Sequence, residues 1–478
     1  MVSATIPVEH AVQTPARNER RIPHAVVMMM IIIVAAVALT YVVPSGEYQR
    51  TPAGVVVPGS YRSVAKSYTD VLSVTSRRAK GVAYPARPVA IVSSIPAGMT
   101  RSAALIFMIL FIGGMFGVLQ ETGALEAGIE RLLVLTRGDA NVLVPIVMIL
   151  LAAGSTFLGL ISEYLVVIPM ALVLSERLGY DALFGTAMVT IAAKIGYLTS
   201  VTNPLALAIA QPLVGVPVFS GAGFRAMTFA VFLPIGIWYL LRRCRPVRDV
   251  ALTQHSGDAS ETVAKLSARQ ALVLLVLLAA IATMILGVQR LAWGSPELAA
   301  MYIAVSIVIA VVGGTSSREA SQAFVRGMQG MMLAGLLVGL AAAVELILRD
   351  GMILDSIVAY LTRSVEGKPP VIVANLMMLM QMAIDVFIPS TSGKAAVTMP
   401  ILGPIGQLAG VSGQVSVQAF LFGNGLMNTL TPTSGMLLAY LATGKISFGR
   451  WIRFILPLAA GLFALCVVSL TVAVVTGL

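Results

Sequence analysis

Nine stretches of this chain are apolar over the length of a bilayer crossing: 25–43, 102–120, 182–215, 224–241, 270–289, 298–314, 330–348, 414–443 and 451–477. An α-helix rises about 1.5 Å per residue, so roughly 20 apolar residues span a hydrocarbon core about 30 Å thick. A water-soluble fold can bury one or two such helices, but it cannot hide nine. Composition agrees, with 58% hydrophobic and only 11% charged residues against roughly 25% charged in soluble domains. Mean hydropathy is +0.92. A soluble enzyme and a disordered chain are both excluded on these grounds. The net charge of +11 then reads as basic cytoplasmic loops beside membrane spans, with no nucleic-acid partner.

Two apolar regions are different in kind. Segments 141–177 and 371–408 are broken in the middle by small polar residues, Gly154-Ser155-Thr156 through Ser162-Glu163 and Pro389-Ser390-Thr391-Ser392-Gly393-Lys394. In lipid, a broken helix strands N–H and C=O groups, which is tolerated only where the break is buried in protein or lines a wet cavity. Both regions are therefore read as re-entrant helical hairpins with polar tips; the plainer alternative is a pair of ordinary spans joined by a short loop. Two spans also break internally, at Thr199-Ser200-Val201-Thr202-Asn203-Pro204 and at Asn428-Thr429-Leu430-Thr431-Pro432-Thr433-Ser434-Gly435. Proline removes a donor there, and Ser, Thr and Asn offer replacement partners. Gly154, Gly159, Pro204, Gly393, Pro432 and Gly435 are the expected hinge positions.

The features recur in order. Thr122-Gly123-Ala124-Leu125 precedes Asp350-Gly351-Met352-Ile353 by 228 positions, as Pro204 precedes Pro432 and Arg225 precedes Arg453, while Ser155-Thr156 precedes Ser390-Thr391 by 235. The near-constant offset predicts an internal repeat, and the span count between the hairpins predicts that the repeats are inverted. Paired interrupted segments in two halves are the best sequence pointer to a transporter binding site.

Loop charge sets the expected topology. Met1 to Arg21 is polar, with Arg17, Arg20 and Arg21 just ahead of the first run, and lacks a small-residue cleavage site. It reads as a cytoplasmic N-terminus before a retained span. The 242–269 loop, with Arg242, Arg243, Arg245, Arg248, Lys265 and Arg269, is expected in the cytoplasm. The 45–100 loop is then outside, yet it carries Arg50, Arg62, Lys66, Arg77, Arg78, Lys80 and Arg87, which topology alone leaves unexplained. Within it, residues 54–64 are β-prone and predict a small hairpin.

Charges inside the membrane are costly and usually functional. Glu163 follows the first tip and could coordinate Na⁺, take up a proton or hold a cation; on the plainer reading it is solvated at a surface loop. Lys394, just after the second tip, and Lys194, inside the span leading to Thr202, could bind a carboxylate or supply fixed positive charge; each could equally pair internally with Glu163 or Asp385. The substrate is expected among Ser155, Thr156, Thr202, Asn203, Ser390, Thr391, Ser392, Asn428, Thr431, Thr433 and Ser434, where helix N-termini and hydroxyls favour an anion and exposed carbonyls favour Na⁺. The 24 methionines read as packing rather than metal ligands. No catalytic or metal-ligating residue is expected: the chain has no GxxxxGK[ST] loop, no HExxH and no CxxC, its two cysteines are Cys244 and Cys466, and its histidines, His10, His24 and His255, lie outside the spans. No cofactor is expected beyond Na⁺ or H⁺ as coupling ion.

The strings Pro23-His24, Thr40-Tyr41-Val42-Val43-Pro44-Ser45-Gly46-Glu47-Tyr48 and Val57-Pro58-Gly59-Ser60-Tyr61 resemble the YfcC family of bacterial membrane carriers, grouped with the DcuC-type C4-dicarboxylate carriers in the ion transporter superfamily. The likeness continues through Gly113-Gly114, Gly154 to Glu163, Leu178-Gly179-Tyr180-Asp181, Asn203-Pro204, Ile388 to Gly393, Met399-Pro400 and Asn428 through Ser434. It implies an all-α polytopic membrane protein with two inverted repeats, about nine spans, two hairpins, a scaffold domain and a mobile transport domain, working as an elevator in a homodimer. Members are variously assigned dicarboxylates or basic amino acids. Here Ser162 stands where the family usually has an acid, Lys394 where it has an amide and Lys194 where it has a small residue. These departures favour an anionic substrate, or an ammonium standing in for a coupling ion.

The expected division is a cytoplasmic N-terminus 1–22, scaffold 23–136 with an extracytoplasmic loop 45–100, transport domain 137–243, cytoplasmic loop 244–268, scaffold 269–366 and transport domain 367–478. The expected function is secondary transport of a small organic anion, a carboxylate with C4-dicarboxylates as one candidate, across the bacterial inner membrane. A basic amino-acid antiporter is the alternative within that class. A channel or membrane sensor is the rival from another class, disfavoured because polarity is concentrated at four breaks and no loop is long enough for an output domain.

Overall fold

The structure, a computed structural model, describes residues 25–52, 56–57, 59–68, 82–135, 139–244, 267–291, 293–362 and 367–478. The expected N-terminal segment 1–22, Arg77, Arg78 and Lys80 of the basic loop, and nearly all of the 244–268 loop lie outside the described residues.

The first half runs α1 (Ala25–Val42), β1 (Gly46–Glu47), β2 (Arg62–Ser63), α2 (Ala90–Arg101), α3 (Ala103–Glu121), α4 (Ala124–Leu135), α5 (Ala140–Ala153), a π-turn (Gly154–Leu158), a 3₁₀ turn (Ser162–Leu165), α6 (Val167–Arg177), α7 (Ala182–Thr199), α8 (Pro204–Leu213) and α9 (Ala222–Arg243). The second runs α10 (Ala268–Arg290), α11 (Ser295–Gly313), α12 (Ser317–Asp350), α13 (Leu354–Thr362), α14 (Pro370–Asp385), α15 (Thr391–Leu408), α16 (Gly413–Leu430), α17 (Gly435–Thr443) and α18 (Phe448–Val475). All four expected breaks are present as interruptions of helix, and broken pairs occupy the same places in both halves.

Among the described residues, eight helical stretches are long and apolar enough to cross a membrane, against about nine expected. One expected span is interrupted. Stretch 414–443 divides into α16 and α17, and α16 is diluted by Gln414, Gln418, Asn424 and Asn428. α10, Ala268–Arg290, is one helix of 23 residues, and Ala140–Leu158, expected as a hairpin arm, reaches 19 residues.

Helix starts follow from local chemistry. Asp181 accepts Phe184 N–H at 3.0 Å, and Ser316 with Glu319 forms a capping box at the head of α12; each supplies an acceptor for N–H groups that a helix leaves unpaired. α12 is 34 residues long, about 50 Å. It packs along α3, α2 and α1 and against α17. The α3–α12 crossing is a backbone-to-backbone contact: a Cβ at Gly327 would sit 2.0 Å from Gly113 O, and one at Gly117 2.1 Å from Ala323 O. Small residues are what permit such an approach in a membrane. A second group of contacts joins α14 to α16, α16 to α7 and α18, α15 to α8, and α7 to α5, α6 and α9.

The basic loop has local partners for its charge. Arg50 Nη2 donates to both oxygens of Asp355 at 2.7 and 3.0 Å, and Tyr48 N–H adds a third bond to that carboxylate at 3.0 Å. Arg62 pairs with Glu47. Lys66 Nζ donates to Thr40 O and Val43 O at the C-terminal end of α1, where unpaired carbonyls favour a cation. The loop does form a hairpin, but its pairing is Gly46↔Ser63 and Glu47↔Arg62, with an Arg50↔Val56 bridge, so half of it lies upstream of 54–64. Tyr48 and Val56 then pack on Val358, Ile384, Ile388 and Ile401, which docks the loop against α13, α14 and α15.

Candidate functional site

The first polar junction is where the π-turn after α5 meets the break between α7 and α8. Thr156 organises it. Its Oγ1 lies 3.1 Å from Thr199 Oγ1 and accepts Val201 N–H at 2.9 Å, and its carbonyl accepts Thr202 N–H at 3.1 Å. Ser155 Oγ donates to Ala193 O at 2.7 Å, and Thr202 Oγ1 donates to Phe157 O at 3.2 Å. Asn203 caps α8 by accepting Leu205 N–H at 3.0 Å, one residue before Pro204 at its first position. Arg225, buried on α9, donates through Nε to Val201 O at 3.2 Å. The groups freed by the break are thus satisfied within protein, as hydrocarbon requires. Gly159 has φ 77°, and a Cβ there would stand 2.6 Å from Asn203 Oδ1, so the chain can turn beside this junction only as glycine.

The second junction lies between the α14–α15 break and α16. Lys394 and Asp385 are fully buried and paired, Nζ to Oδ1 at 2.5 Å. Nζ also donates to Gln381 O at 3.3 Å and lies 5.5 Å from the centre of the Phe420 ring. The other carboxylate oxygen of Asp385 accepts Asn428 Nδ2 at 2.8 Å. Ser434, the cap of α17, donates to Asn428 Oδ1 at 2.8 Å. Asn428 also donates to Asn424 Oδ1 at 3.3 Å; Asn424 donates to Tyr197 OH at 2.5 Å, and Tyr197 bonds Thr391. Tyr197 belongs to α7, so this one side chain ties the two broken spans and the second hairpin together.

Lys194, one turn before Tyr197 on α7, is 5% exposed. It borders an apolar cavity of about 20 Å³ with Leu198, Leu426 and Ile455, room for about one water.

Sequence reasoning selected residues that the fold sorts into several places. Asp385, Lys394, Thr391, Asn428 and Ser434 form the second network. Ser155, Thr156, Thr202 and Asn203 form the first, where all but Thr202 have no exposed surface. Thr431 and Thr433 bond each other at 2.7 Å. Ser390 caps α15 through Gly393 N–H at 3.4 Å, and Ser390, Ser392 and Gly393 are exposed. Of the remaining hinge positions, Gly154 is closed off by the Tyr164 hydroxyl, Gly435 faces Val338 of α12, and Pro432 is half-buried between α16 and α17. Glu163 stands apart. Its Oε2 accepts Ile161 N–H at 2.9 Å, and the side chain faces a cavity of about 510 Å³ bounded by α3, α10 and α11.

Tyr197, Asn424 and Gln381 were not selected from the sequence. The available signal was helical spacing: Asn424 lies one turn before Asn428, and Gln381 one turn before Asp385. Gln381 Nε2 donates to Thr398 Oγ1 at 2.9 Å, and Thr398 in turn donates to Lys394 O at 2.9 Å, one turn along α15.

The profile described as C4-dicarboxylate anaerobic carrier, DcuC, matches residues 22–475. The chain is 29% identical over 499 aligned positions to an uncharacterized protein of Haemophilus influenzae, covering 95% of this chain and 97% of that one. It is 32% identical over 372 positions, 74% of each chain, to Escherichia coli YfcC, whose name provisionally assigns it as a basic amino acid antiporter. Two solved structures also align. The YdaH transporter of Alcanivorax borkumensis does so at 18% identity and TM-score 0.43, over 95% of this chain and 99% of that one. MtrF of Neisseria gonorrhoeae, from a class of antimetabolite efflux pumps, does so at 19% identity and TM-score 0.45, over 95% of each.

Proposed function

The chain belongs to the C4-dicarboxylate anaerobic carrier family and is a multi-pass membrane transporter of the DcuC and YfcC type; from that premise we propose that it is a secondary carrier for a small organic anion, a carboxylate, in the bacterial inner membrane. One observation carries the choice of charge. Around the second break two lysines, Lys394 and Lys194, are buried against one buried aspartate, Asp385, which pairs with Lys394. Buried charge is costly unless paired, and a carboxylate arriving at the exposed head of α15 brings the missing negative charge. Thr391 and Ser392 lie in the first turn of α15 there, where a helix favours an anion. A C4-dicarboxylate is the first candidate.

Lys394 fills the place at Asp385 that a coupling cation or a substrate guanidinium would take. Transport is therefore expected to proceed without Na⁺, driven by H⁺ or by exchange. For movement, we take α5–α9 with α14–α18 as the mobile body and α1–α4 with α10–α13 as the frame, an elevator in a homodimer with its N-terminus in the cytoplasm. The grouping of helix contacts, with α12 as the long element of the frame, supports that division. Basic amino-acid antiport is the second reading, favoured by the name of the Escherichia coli relative; such a substrate also offers a carboxylate to α15.

The test is uptake by proteoliposomes of labelled succinate, fumarate, arginine and ornithine, each under a Na⁺ gradient, a pH gradient and counter-substrate loading. Saturable succinate uptake that ignores Na⁺ is expected. Gradient-driven arginine uptake with no carboxylate uptake would overturn the anion reading.

A further inference from the structure

We propose that the cavity over Glu163 is a binding site for a monovalent organic cation with an apolar body, an alkyl- or arylalkyl-ammonium, separate from the site at the second break. The cavity holds about 510 Å³, within the roughly 300–1,000 Å³ of small-molecule sites. Its walls are hydrocarbon and thioether: Leu150, Phe157 and Met170 on one side, Met115, Ala280 and Met284 on the other. Leu150 and Phe157 are exposed at its edge, so an amine can enter along the apolar surface that faces the bilayer.

One carboxylate breaks this apolar lining. Glu163 is 8% exposed. Oε2 accepts Ile161 N–H at 2.9 Å, and the Ser162 hydroxyl and the residue's own N–H adjoin the group. Among the described residues Glu163 joins none of the ion pairs. The two hydroxyls on the wall are committed elsewhere, Tyr164 to Leu151 O at 2.5 Å and Tyr302 to Met284 Sδ at 3.4 Å. A carboxylate has about four acceptor sites, so Glu163 keeps capacity for a donor that carries positive charge. A bound ammonium stabilises the carboxylate form of Glu163 while its body displaces the void. The same lining rejects a free basic amino acid, whose α-carboxylate would find no donor on the hydrocarbon walls. This site does not depend on what the protein transports.

The measurement is calorimetric binding to the full chain in lipid nanodiscs, with empty nanodiscs subtracted. The probes are 2-phenylethylammonium, its neutral analogue 2-phenylethanol and the anion 3-phenylpropanoate. The ammonium is expected to bind saturably, with the neutral analogue weaker by roughly tenfold or more and the anion not bound, since a charge-assisted hydrogen bond is at stake. Glu163→Gln is expected to reduce the ammonium to the affinity of the alcohol, and Ala280→Phe, which fills the cavity with the carboxylate intact, to weaken all binding. Equal affinity for ammonium and alcohol, or binding unchanged in Ala280→Phe, overturns the proposal. Should Glu163→Gln fail to fold, those two comparisons decide alone.

Discussion

Lys394 and Asp385 form a fully buried ion pair, and the physics of such a pair is asymmetric. Removing one partner strands the other charge at a cost of roughly 3–5 kcal/mol, whereas removing both is far milder. Lys394→Met is therefore expected to lower the melting temperature of the protein sharply, and Lys394→Met with Asp385→Asn to recover much of the loss; a thermal melt in nanodiscs reads both. Equal melting of wild type and Lys394→Met would mean that the pair does not form. Tyr197→Phe is a subtler probe. It removes one hydroxyl shared by Asn424 and Thr391 and is expected to cost about 1–3 kcal/mol by leaving buried polar groups unsatisfied, again read by melting. The pairing of Lys394 was one of two open readings in the sequence, because its partner lies nine positions away across a break of unknown path. Tyr197 gave no signal at all, since a tyrosine in an apolar run reads as an interfacial anchor.

At the scale of elements, the breaks were the most legible part of the molecule. Glycine or proline with Ser and Thr inside an apolar run conflicts with an unbroken helix, and all four interruptions fall where that conflict lies. How each break is held together was not legible, because Thr156 reaches across to Val201 and Arg225 back to it through space. Gly159 offers a test of that fit. Gly159→Ala places a Cβ against Asn203 Oδ1 in a left-handed residue, while Gly215→Ala, also left-handed at φ 74°, meets nothing within 4 Å. Both pay the backbone cost of roughly 1–2 kcal/mol. Only the former is expected to disturb the junction as well, so its melting temperature should fall further. Equal shifts would mean that the turn and the cap of α8 are not in contact.

For the whole molecule, hydropathy alone set the class. The basic loop could not be read, because its main partner, Asp355, lies 305 positions from Arg50. That contact makes a prediction about the assembled fold: Asp355→Ala frees Arg50 and the Tyr48 N–H together and is expected to speed proteolysis of the loop several-fold. Glu47→Ala, which removes only an exposed surface pair with Arg62, is expected to change it little. If both variants are cut at the wild-type rate, the loop is held by its apolar contacts alone.

The central claim is that a small carboxylate is held at the exposed head of α15. Ser392 is exposed there, while Cys466 is fully buried. In a Cys244→Ser background, Ser392→Cys therefore provides a single reactive thiol at the proposed site. The rate at which a thiol reagent modifies it, measured with succinate, arginine or neither present, tests location and substrate charge together. The account predicts that succinate slows modification in a saturable way and arginine does not. Modification that ignores succinate, or that arginine alone slows, would contradict it.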